Sequence, residues 1–438
     1  MRQTLSLKKI FLFWSPLLAT WLMMAFEGPF IAAIIARLPH PKYNLAAYGV
    51  AFAFALIVEA PVIMMLSAST ALVTNRMSFF KLRRFTYALN LILTLLMLVL
   101  LIPDAFYYLS ETLMELPDKV ALLTYRSLWI LLPWPAAIGY RRFYQGLLIR
   151  HNLTRRVAYG TVVRLLTMAV SALTAAFLFK WHGAYVGAFA LSAGVTAEAV
   201  ASRLMSLRVA RLFKKERSNS GNISYGEIVR FYYPLALTSL IALAVQPLVT
   251  FFVGQSRMAL ESLAVLPVIS SLVFIFRSFG LSYQEVSITF LGEHNEGLKP
   301  LATFAFLLIL FVTGGMVLVG FTPGHDFWFG VVSGLSKDLV DFARVPVRIL
   351  VLLPAFSVVL SFQRALLVTH KNTAPITFGT VLEVLLIAVI MWFLIEQANF
   401  IGAVAAATAL LLGRLGCNLY LTFPVLRTLK RQTAPAGG

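Results

Sequence analysis

Long runs of apolar residues, separated by short polar segments, recur along the whole chain of 438 residues. They are centred near residues 24, 58, 95, 136, 169, 198, 241, 277, 311, 357, 386 and 412. A bilayer core about 30 Å thick needs roughly 20 apolar residues in helical form. The pattern therefore predicts an all-α polytopic membrane protein with twelve transmembrane helices.

The composition agrees with this prediction and excludes several functions. Hydrophobic residues make up 60% of the chain and charged residues only 13%, whereas soluble domains are nearer half apolar and a quarter charged. The single cysteine, Cys417, excludes a disulfide framework and a cysteine metal cluster. Neither a P-loop nor an H-E-x-x-H pattern occurs. We therefore expect no enzyme activity, no bound metal and no cofactor.

The formal net charge of +19 would suggest a nucleic-acid partner in a soluble protein. Here the basic residues follow predicted helices 2, 4 and 6, at Arg76, Lys81, Arg83 and Arg84, at Arg150, Arg155 and Arg156, and at Lys214, Lys215 and Arg217. Cytoplasmic loops of membrane proteins accumulate Lys and Arg. The pattern predicts a protein of the cell inner (plasma) membrane with both termini cytoplasmic and no nucleic-acid partner. We expect a monomer, although the loop charges do not determine the oligomeric state.

The chain contains an internal repeat. FYQGLLIRHNLTRRVAYGTV, from Phe143, aligns without gaps with FQRALLVTHKNTAPITFGTV, from Phe362, 219 residues later. WSPLLATWLMMAFEGP in helix 1 aligns with YYPLALTSLIALAVQP in helix 7, which pairs Pro16 with Pro234 and Pro29 with Pro247. A cleaved signal peptide would have no reason to match helix 7, so helix 1 is expected in the mature protein.

The repeat predicts the domain organisation. Residues 1–213 form an N-lobe of helices 1–6, residues 214–227 a polar cytoplasmic linker, and residues 228–438 a C-lobe of helices 7–12. Parallel duplication of six helices is typical of transporters with a site between two lobes. A membrane-embedded enzyme or a scaffold is the alternative. The repeated prolines either kink helices for packing or act as hinges.

Charged residues inside apolar helices mark the candidate site, because a charge at the bilayer centre costs about 2.5–3.5 kcal/mol or more and should face a cavity or the bundle interior. The candidates for substrate binding or gating are Glu27, Glu59, Arg141, Arg142, Arg164, Gln246, Arg277 and Glu383. Deep arginines bind phosphate or carboxylate through paired hydrogen bonds, which indicates an anionic substrate. Glu27 is a candidate for proton coupling, because burial raises a carboxyl pKa. Arg364 and Arg414 are interpreted as snorkelling to the interface.

The repeat also relates charges of opposite sign. It places Glu59 at the position of Arg277, and Arg164 at the position of Glu383. We hypothesise that Glu59 and Arg277 form a gate, or that Arg277 takes the substrate anion. Static pairs inside separate lobes are the alternative.

Several segments resemble the progressive ankylosis (Ank) family of the MOP superfamily, which also includes MATE exporters and lipid flippases. They are AYGVAF at 47–52 with Ala60-Pro61, QPLVTFFV at 246–253, VPVRILVLLP at 345–354 and IGAVAAATALLLG at 401–413. The resemblance implies a MATE-like MOP fold and export of anions such as citrate, pyrophosphate or nucleotide phosphates. Glu59 differs from the animal members and takes no role from the resemblance.

The expected function is a secondary transporter that exports small organic or phosphate-bearing anions by alternating access. Its partners are the lipid bilayer, the anion and a coupling ion, H⁺ or Na⁺. The alternatives are a MATE-like multidrug cation antiporter, a lipid-linked oligosaccharide flippase and a membrane scaffold that transports nothing. A prokaryotic source is expected from the short loops.

Overall fold

The computed structural model describes residues 5–151, 153–215, 223–292, 295–370 and 372–433, and their secondary structure is helical. The predicted linker, 214–227, lies partly outside the described residues. The first half forms α1 (Leu7–Ala25), α2 (Glu27–Ala36), α3 (Pro41–Glu59), α4 (Met65–Leu72), α5 (Arg76–Leu100), α6 (Pro103–Tyr107), α7 (Asp118–Leu131), α8 (Trp134–Arg150), α9 (Thr154–Leu173), α10 (Gly183–Met205) and α11 (Leu207–Lys215). The second half forms α12 (Tyr225–Leu243), α13 (Val245–Gly254), α14 (Ala259–Phe290), α15 (Leu298–Phe321), α16 (Gly324–Asp326), α17 (Lys337–Ile349), α18 (Leu353–Thr369), α19 (Ala374–Trp392) and α20 (Gly402–Thr433).

Among the described residues, eleven helical segments are long and apolar enough to cross a bilayer. The remaining predicted span, helix 4, is divided by a turn at Leu132-Pro133 into α7, of 14 residues, and α8, of 17 residues. Proline lacks the amide hydrogen that would continue the helical hydrogen bonds. The helix is therefore present as two shorter pieces.

Predicted helices 1 and 7 are interrupted near the repeated prolines. α1 ends at Ala25 and α12 ends at Leu243, each four residues before a proline, Pro29 or Pro247. The proline ring clashes with the carbonyl four residues earlier, which explains these two ends. Pro16 and Pro234, in contrast, lie inside α1 and α12.

The chain divides into two compact units, each described by its own contacts. The continuous unit is Ile34–Gly254, and the split unit is Met1–Ala33 together with Gln255–Gly438. This grouping differs from the lobes expected from the repeat, 1–213 and 228–438. Most of helix 1 packs with the second-half helices, and helix 7 packs with the first-half helices.

Core contacts explain this exchange. In the split unit, Trp14 is buried with Tyr283 and Phe304, and its Nε1 donates a hydrogen bond to Ser282 Oγ at 2.9 Å. In the continuous unit, Tyr232 is buried among first-half residues such as Phe79. Trp14 and Tyr232 are equivalent in the repeat, and each is at most 4% exposed. Helix association in membranes follows side-chain packing and hydrogen bonding, so chain order does not decide the partner.

The predicted repeat is visible in local backbone features. π-Helical turns occur at Tyr108–Leu113 and at Phe327–Val332, and again at Thr174–Leu178 and Phe393–Gln397. Each member of a pair lies 219 residues from the other. Such turns are rare and recur at functional or constrained positions, so their duplication indicates that both halves keep the same helix geometry.

One hydrogen bond at the start of a helix is also duplicated. Asn44 Oδ1 accepts from the amide of Ala184 at 3.0 Å at the start of α10. At the equivalent place in the other half, Ser262 Oγ accepts from the amide of Ala403 at 3.0 Å at the start of α20. Both bonds satisfy an amide that has no partner within its helix.

Candidate functional site: two buried charge clusters

A buried carboxylate organises the charges of the continuous unit. Glu198, on α10, has a side chain only 2% exposed. Its Oε2 accepts from Arg141 Nη1, and its Oε1 accepts from Gln145 Nε2 at 3.0 Å. Arg164 Nε, on α9, lies 3.5 Å from Oε2. A buried carboxylate is stable only when it is paired and hydrogen-bonded, and two helices, α8 and α9, supply these partners.

Arg141 and Gln145 reach the same carboxylate because they are four residues apart on α8, which places them on one face of the helix. Arg142 follows directly, and its charge also interacts with Glu198 and with Glu59. Arg142 Nε is buried and has no hydrogen-bond partner within the described part of the chain. We call Glu198 and the charges around it the Glu198 cluster.

Glu59 extends the Glu198 cluster to predicted helix 2. It is 5% exposed, and its Oε2 accepts a hydrogen bond from the indole Nε1 of Trp134. The charges of Arg141, Arg142 and Arg164 act on it. The structure thus brings four of the predicted site residues together around α8.

The position of Glu59 is set by a break in the helix. α3 ends at Glu59, and a 3₁₀ turn, Ala60–Val62, contains Pro61. Such a break frees carbonyl groups that need donors inside a membrane. Tyr232 Oη donates to the Pro61 carbonyl, and Ser239 Oγ donates to the Ala60 carbonyl at 2.8 Å. Two side chains of α12 therefore stabilise the break.

The split unit has its own charge cluster, around Glu383 on α19. Arg414 Nε, on α20, donates to Glu383 Oε1 at 2.8 Å. Arg414 Nη1 also donates to Ser357 Oγ at 3.2 Å. The side chains of Arg414 and Glu383 are 12% and 9% exposed. We call this group the Glu383 cluster.

Two further arginines belong to the Glu383 cluster. The charge of Arg277, on α14, interacts with Arg414, Glu383 and Arg364. Arg364 Nη2 donates to Thr380 Oγ1 at 3.2 Å. The Nε atoms of Arg277 and Arg364 are buried, and neither has a hydrogen-bond partner in the described ranges. The charges of three guanidinium groups thus act on one carboxylate.

The two clusters occupy equivalent helices with different residues. Arg164 is equivalent to Glu383, as the sequence predicts. Arg164 interacts with Glu198, and Glu383 with Arg414, so each finds a partner inside its own unit. The position equivalent to Glu198 is Cys417, which is buried. The central acid has thus changed helix between the halves, from α10 to α19.

The other predicted site residues lie elsewhere. Glu27 is the first residue of α2 and Gln246 the second of α13, both partly exposed beside the breaks of predicted helices 1 and 7. Their roles in coupling and substrate binding stay predictions. The pairing of Glu59 with Arg277 also stays a prediction, since these residues lie in different units.

Of the two central acids, the sequence interpretation included only Glu383 among the site residues. Glu198 was not among the predicted site residues, although it lies in an apolar helix and the repeat replaces it by Cys417. Arg414 was interpreted as snorkelling, and this is wrong: it lies well inside α20, pairs with Glu383 and is nearly buried. No group of three His, Cys, Asp or Glu that could hold a metal is found in the ranges that the structure describes.

Comparison with known proteins identifies the fold. A scan against protein-family models finds no match, and a search of curated proteins finds none. Solved structures do match. A multidrug resistance MATE family transporter of the MOP superfamily, in an inward-facing conformation, has a TM-score of 0.73 and 14% identity, with 95% of this chain and 96% of that chain covered.

Two further structures extend the comparison. The lipid II flippase MurJ, in an inward closed conformation, has a TM-score of 0.71 and 16% identity, covering 96% of this chain and 90% of that chain. A MOP superfamily transporter from Pyrococcus furiosus has a TM-score of 0.60 and 14% identity, covering 99% and 98%. Its description says that a reverse polarity of the binding pocket suggests a different function.

The comparisons confirm the predicted fold class, an all-helical polytopic membrane protein with the MATE-like MOP fold. Identities of this size establish the fold alone. The proteins with this fold are described as transporters and a flippase. The resemblance to the Ank family stays a prediction.

Proposed function

We propose that this chain is a secondary transporter that moves small organic or phosphate-bearing anions across the inner membrane by alternating access. The observation that carries the proposal is the excess of arginine in both buried clusters. Arg141, Arg142 and Arg164 accompany two carboxylates in the Glu198 cluster. Arg277, Arg364 and Arg414 accompany one carboxylate in the Glu383 cluster.

The unpaired guanidinium nitrogens support an anionic substrate. Arg142, Arg277 and Arg364 each keep a buried Nε without a hydrogen-bond partner among the described residues. A buried donor of this kind is costly unless something accepts its hydrogen bond. Phosphate and carboxylate oxygens are suitable acceptors, and guanidinium binds them through two parallel bonds.

The finer features of the proposal come from the sequence. The basic loops support cytoplasmic termini, and the segments that resemble the Ank family support export of citrate, pyrophosphate or nucleotide-like anions. Glu27 is the proposed proton-coupling residue, with Na⁺ as the alternative coupling ion. Glu59 and Arg277 are the proposed gate or substrate contacts.

A flippase for lipid-linked substrates is the second candidate. The lipid II flippase MurJ is among the structures with a high TM-score, and a pyrophosphate-linked lipid would present the same anionic chemistry to arginine. A multidrug cation antiporter fits less well. It would need a cavity dominated by carboxylates, whereas arginines outnumber carboxylates in both clusters.

The proposal is tested by flux into proteoliposomes. Labelled citrate, pyrophosphate and ATP are compared with a cationic dye, for the wild-type protein and for Arg142→Gln and Arg277→Gln. We expect anion flux in the wild type and a loss of about tenfold or more in each variant, since one charge-assisted hydrogen bond is worth about 1.5–3 kcal/mol. Arg126→Gln is the matched control, because Arg126 is exposed on α7.

Other outcomes separate the alternatives. Dye flux without anion flux would contradict the proposal in favour of a cation antiporter. Movement of a lipid-linked pyrophosphate alone would favour the flippase. Anion flux that is equal in all three variants would show that the buried arginines do not contact the substrate.

A further inference from the structure

A groove on the outside of the continuous unit is not used by the proposed transport function. It has a volume of about 520 Å³ and lies between α5, α8 and α10. Its lining residues are Asn90, Pro133, Ala136, Ala137, Tyr140, Thr196, Ala199, Val200, Arg203 and Leu204. Val200 is 54% exposed and Leu204 60%, so the groove opens at an apolar helix surface of the kind that faces lipid.

The groove and the Glu198 cluster use different faces of the same two helices. On α10 the lining positions are spaced three and four apart from 196 to 204, which is one helical face. Glu198 lies two residues before Val200, which places it roughly on the opposite side of the helix. The groove is therefore a separate feature from the buried charges.

Arg203 brings a positive charge into this apolar groove. Its guanidinium carbon lies 4.8 Å from the ring centroid of Tyr144. Its Nη1 is buried and has no hydrogen-bond partner among the described residues. Arg203 is also in the last turn of α10, where a membrane helix approaches the lipid headgroups.

A second polar group in the groove is unpaired as well. Asn90 is 7% exposed, and its Nδ2 donates to the Ala136 carbonyl at 3.0 Å. Its Oδ1 has no partner in the described chain. Asn90 can lie this deep because Gly139 has no side chain: a Cβ there would come within 2.0 Å of Asn90 Oδ1. Asn90 Oδ1 therefore faces the backbone of α8 at Gly139, and Arg203 Nη1 is the unpaired donor of the groove.

The other half of the protein does not repeat this chemistry. The positions equivalent to Tyr140, Tyr144 and Arg203 are Val359, Gln363 and Thr422. The helix geometry is kept in both halves, so folding alone does not require an arginine and two tyrosines at these positions. The difference indicates a role that belongs to the continuous unit.

We propose that this groove binds one anionic phospholipid from the surrounding bilayer, with its phosphate on Arg203 and an acyl chain along Val200, Leu204 and the alanines of α8. Charge complementarity identifies the occupant: an unpaired guanidinium at the end of an apolar channel matches a phosphate attached to a hydrocarbon chain. The lipid is a bound component of the protein, distinct from the transported substrate.

The proposal is tested by native mass spectrometry of the full-length protein in detergent, titrated with phosphatidylglycerol or phosphatidylcholine. We expect wild-type protein to bind one phosphatidylglycerol about fivefold more tightly than phosphatidylcholine, because the choline group cancels the net negative charge that Arg203 attracts, and one such charge is worth about 1 kcal/mol. Arg203→Gln should remove this preference. Val200→Trp, a substitution at an exposed position that fills the groove, should weaken both lipids.

Arg211→Gln is the matched control, because Arg211 is an exposed arginine on the neighbouring α11 and does not line the groove. Thermal unfolding of each variant confirms that it is folded. Phosphatidylglycerol binding that is unchanged in Arg203→Gln would overturn the proposal. So would an equal loss in Arg211→Gln, which would mean diffuse attraction to the basic end of the unit. Because no transport is measured, this result is independent of the proposed function.

Discussion

The Glu198 and Glu383 clusters occupy equivalent places in a duplicated fold, yet they hold their charges differently. In the continuous unit, one carboxylate on α10 collects Arg141, Gln145 and Arg164 from two neighbouring helices. In the split unit, the carboxylate is on α19 and forms an ion pair with Arg414. Duplication therefore preserved a buried charge cluster and an excess of arginine without preserving which helix carries the acid.

The difference between the two clusters shows which of their properties both halves retain. An excess of guanidinium groups survives in both units, although individual positions have changed sign or become neutral. A purely structural pair could be replaced by apolar residues of similar volume, often without loss of stability. The retained excess of positive charge is what an anion pathway requires. The number of partners that each carboxylate has determines how much it contributes to folding.

The largest expected effect comes from removing the carboxylate with the most partners. Glu198→Gln leaves Arg141 and Arg164 buried without their counter-charge. We expect a loss of about 3–5 kcal/mol in the free energy of unfolding, the range for breaking a buried ion pair. Equilibrium unfolding in mixed detergent micelles measures it.

The equivalent position supplies the control. Cys417 is a buried thiol in place of a carboxylate, so Cys417→Ala should cost only about 1 kcal/mol, as ordinary substitutions do. Similar losses of unfolding free energy in the two variants would mean that Glu198 is no more important to folding than Cys417. That result would contradict the difference described between the clusters.

A smaller effect is expected for the coupling between residues inside the split unit. A double-mutant cycle of Glu383→Gln and Arg414→Gln should give an interaction energy of about 1–3 kcal/mol, because these side chains share a hydrogen bond. Glu383→Gln combined with Arg164→Gln should be additive to within about 0.5 kcal/mol, because each residue has its partner in its own unit.

This cycle decides between two interpretations of the charge swap in the sequence. Additivity of Arg164 and Glu383 supports static pairs within separate units. A coupling as large as that of Glu383 with Arg414 would contradict this interpretation and favour a direct interaction between the swapped residues. Both sets of unfolding energies come from the same detergent titrations.

The sequence predicted much of the fold because membrane-spanning length and proline chemistry are local properties. The ends of α1 and α12 lie where Pro29 and Pro247 require them, and the repeat between Phe143 and Phe362 was readable without a structure. The packing of helix 1 with the second-half helices could not be predicted from the sequence, because it depends on how the Trp14 side chain fits against distant helices.

The candidate site was predicted only in part for a related reason. Depth along a span identifies a charged residue that must be accommodated, and this found Glu59, Arg141, Arg142 and Arg164. It does not identify the partner, which depends on the face of each helix. Glu198 was therefore left out of the predicted site and Arg414 was misinterpreted, although both are charged residues inside apolar helices.

The smallest expected effect concerns a connection outside the spans, at a buried position where the two halves carry different residues. His325 is fully buried, and its Nε2 donates to the Val340 carbonyl at 2.8 Å, while the equivalent Phe106 is equally buried. Burial lowers the pKa of His325, with Arg344 and Arg348 acting in the same direction and the Val340 bond and Asp326 opposing them. The folded protein therefore favours the neutral imidazole.

The sign of the pH dependence follows from this lowered pKa. Above the ordinary histidine pKa of 6.5 both folded and unfolded states are neutral there, so stability is fully present. As pH falls below 6.5 the unfolded state binds the proton first, and the folded state loses stability. We expect the Tm of the wild type to fall between pH 7 and pH 5 more steeply than that of His325→Phe, which copies the other half. Phe106→His should make the fall in Tm steeper still, because it adds a second buried histidine. Parallel Tm curves for the wild type and His325→Phe would contradict the assignment of this pH dependence to His325.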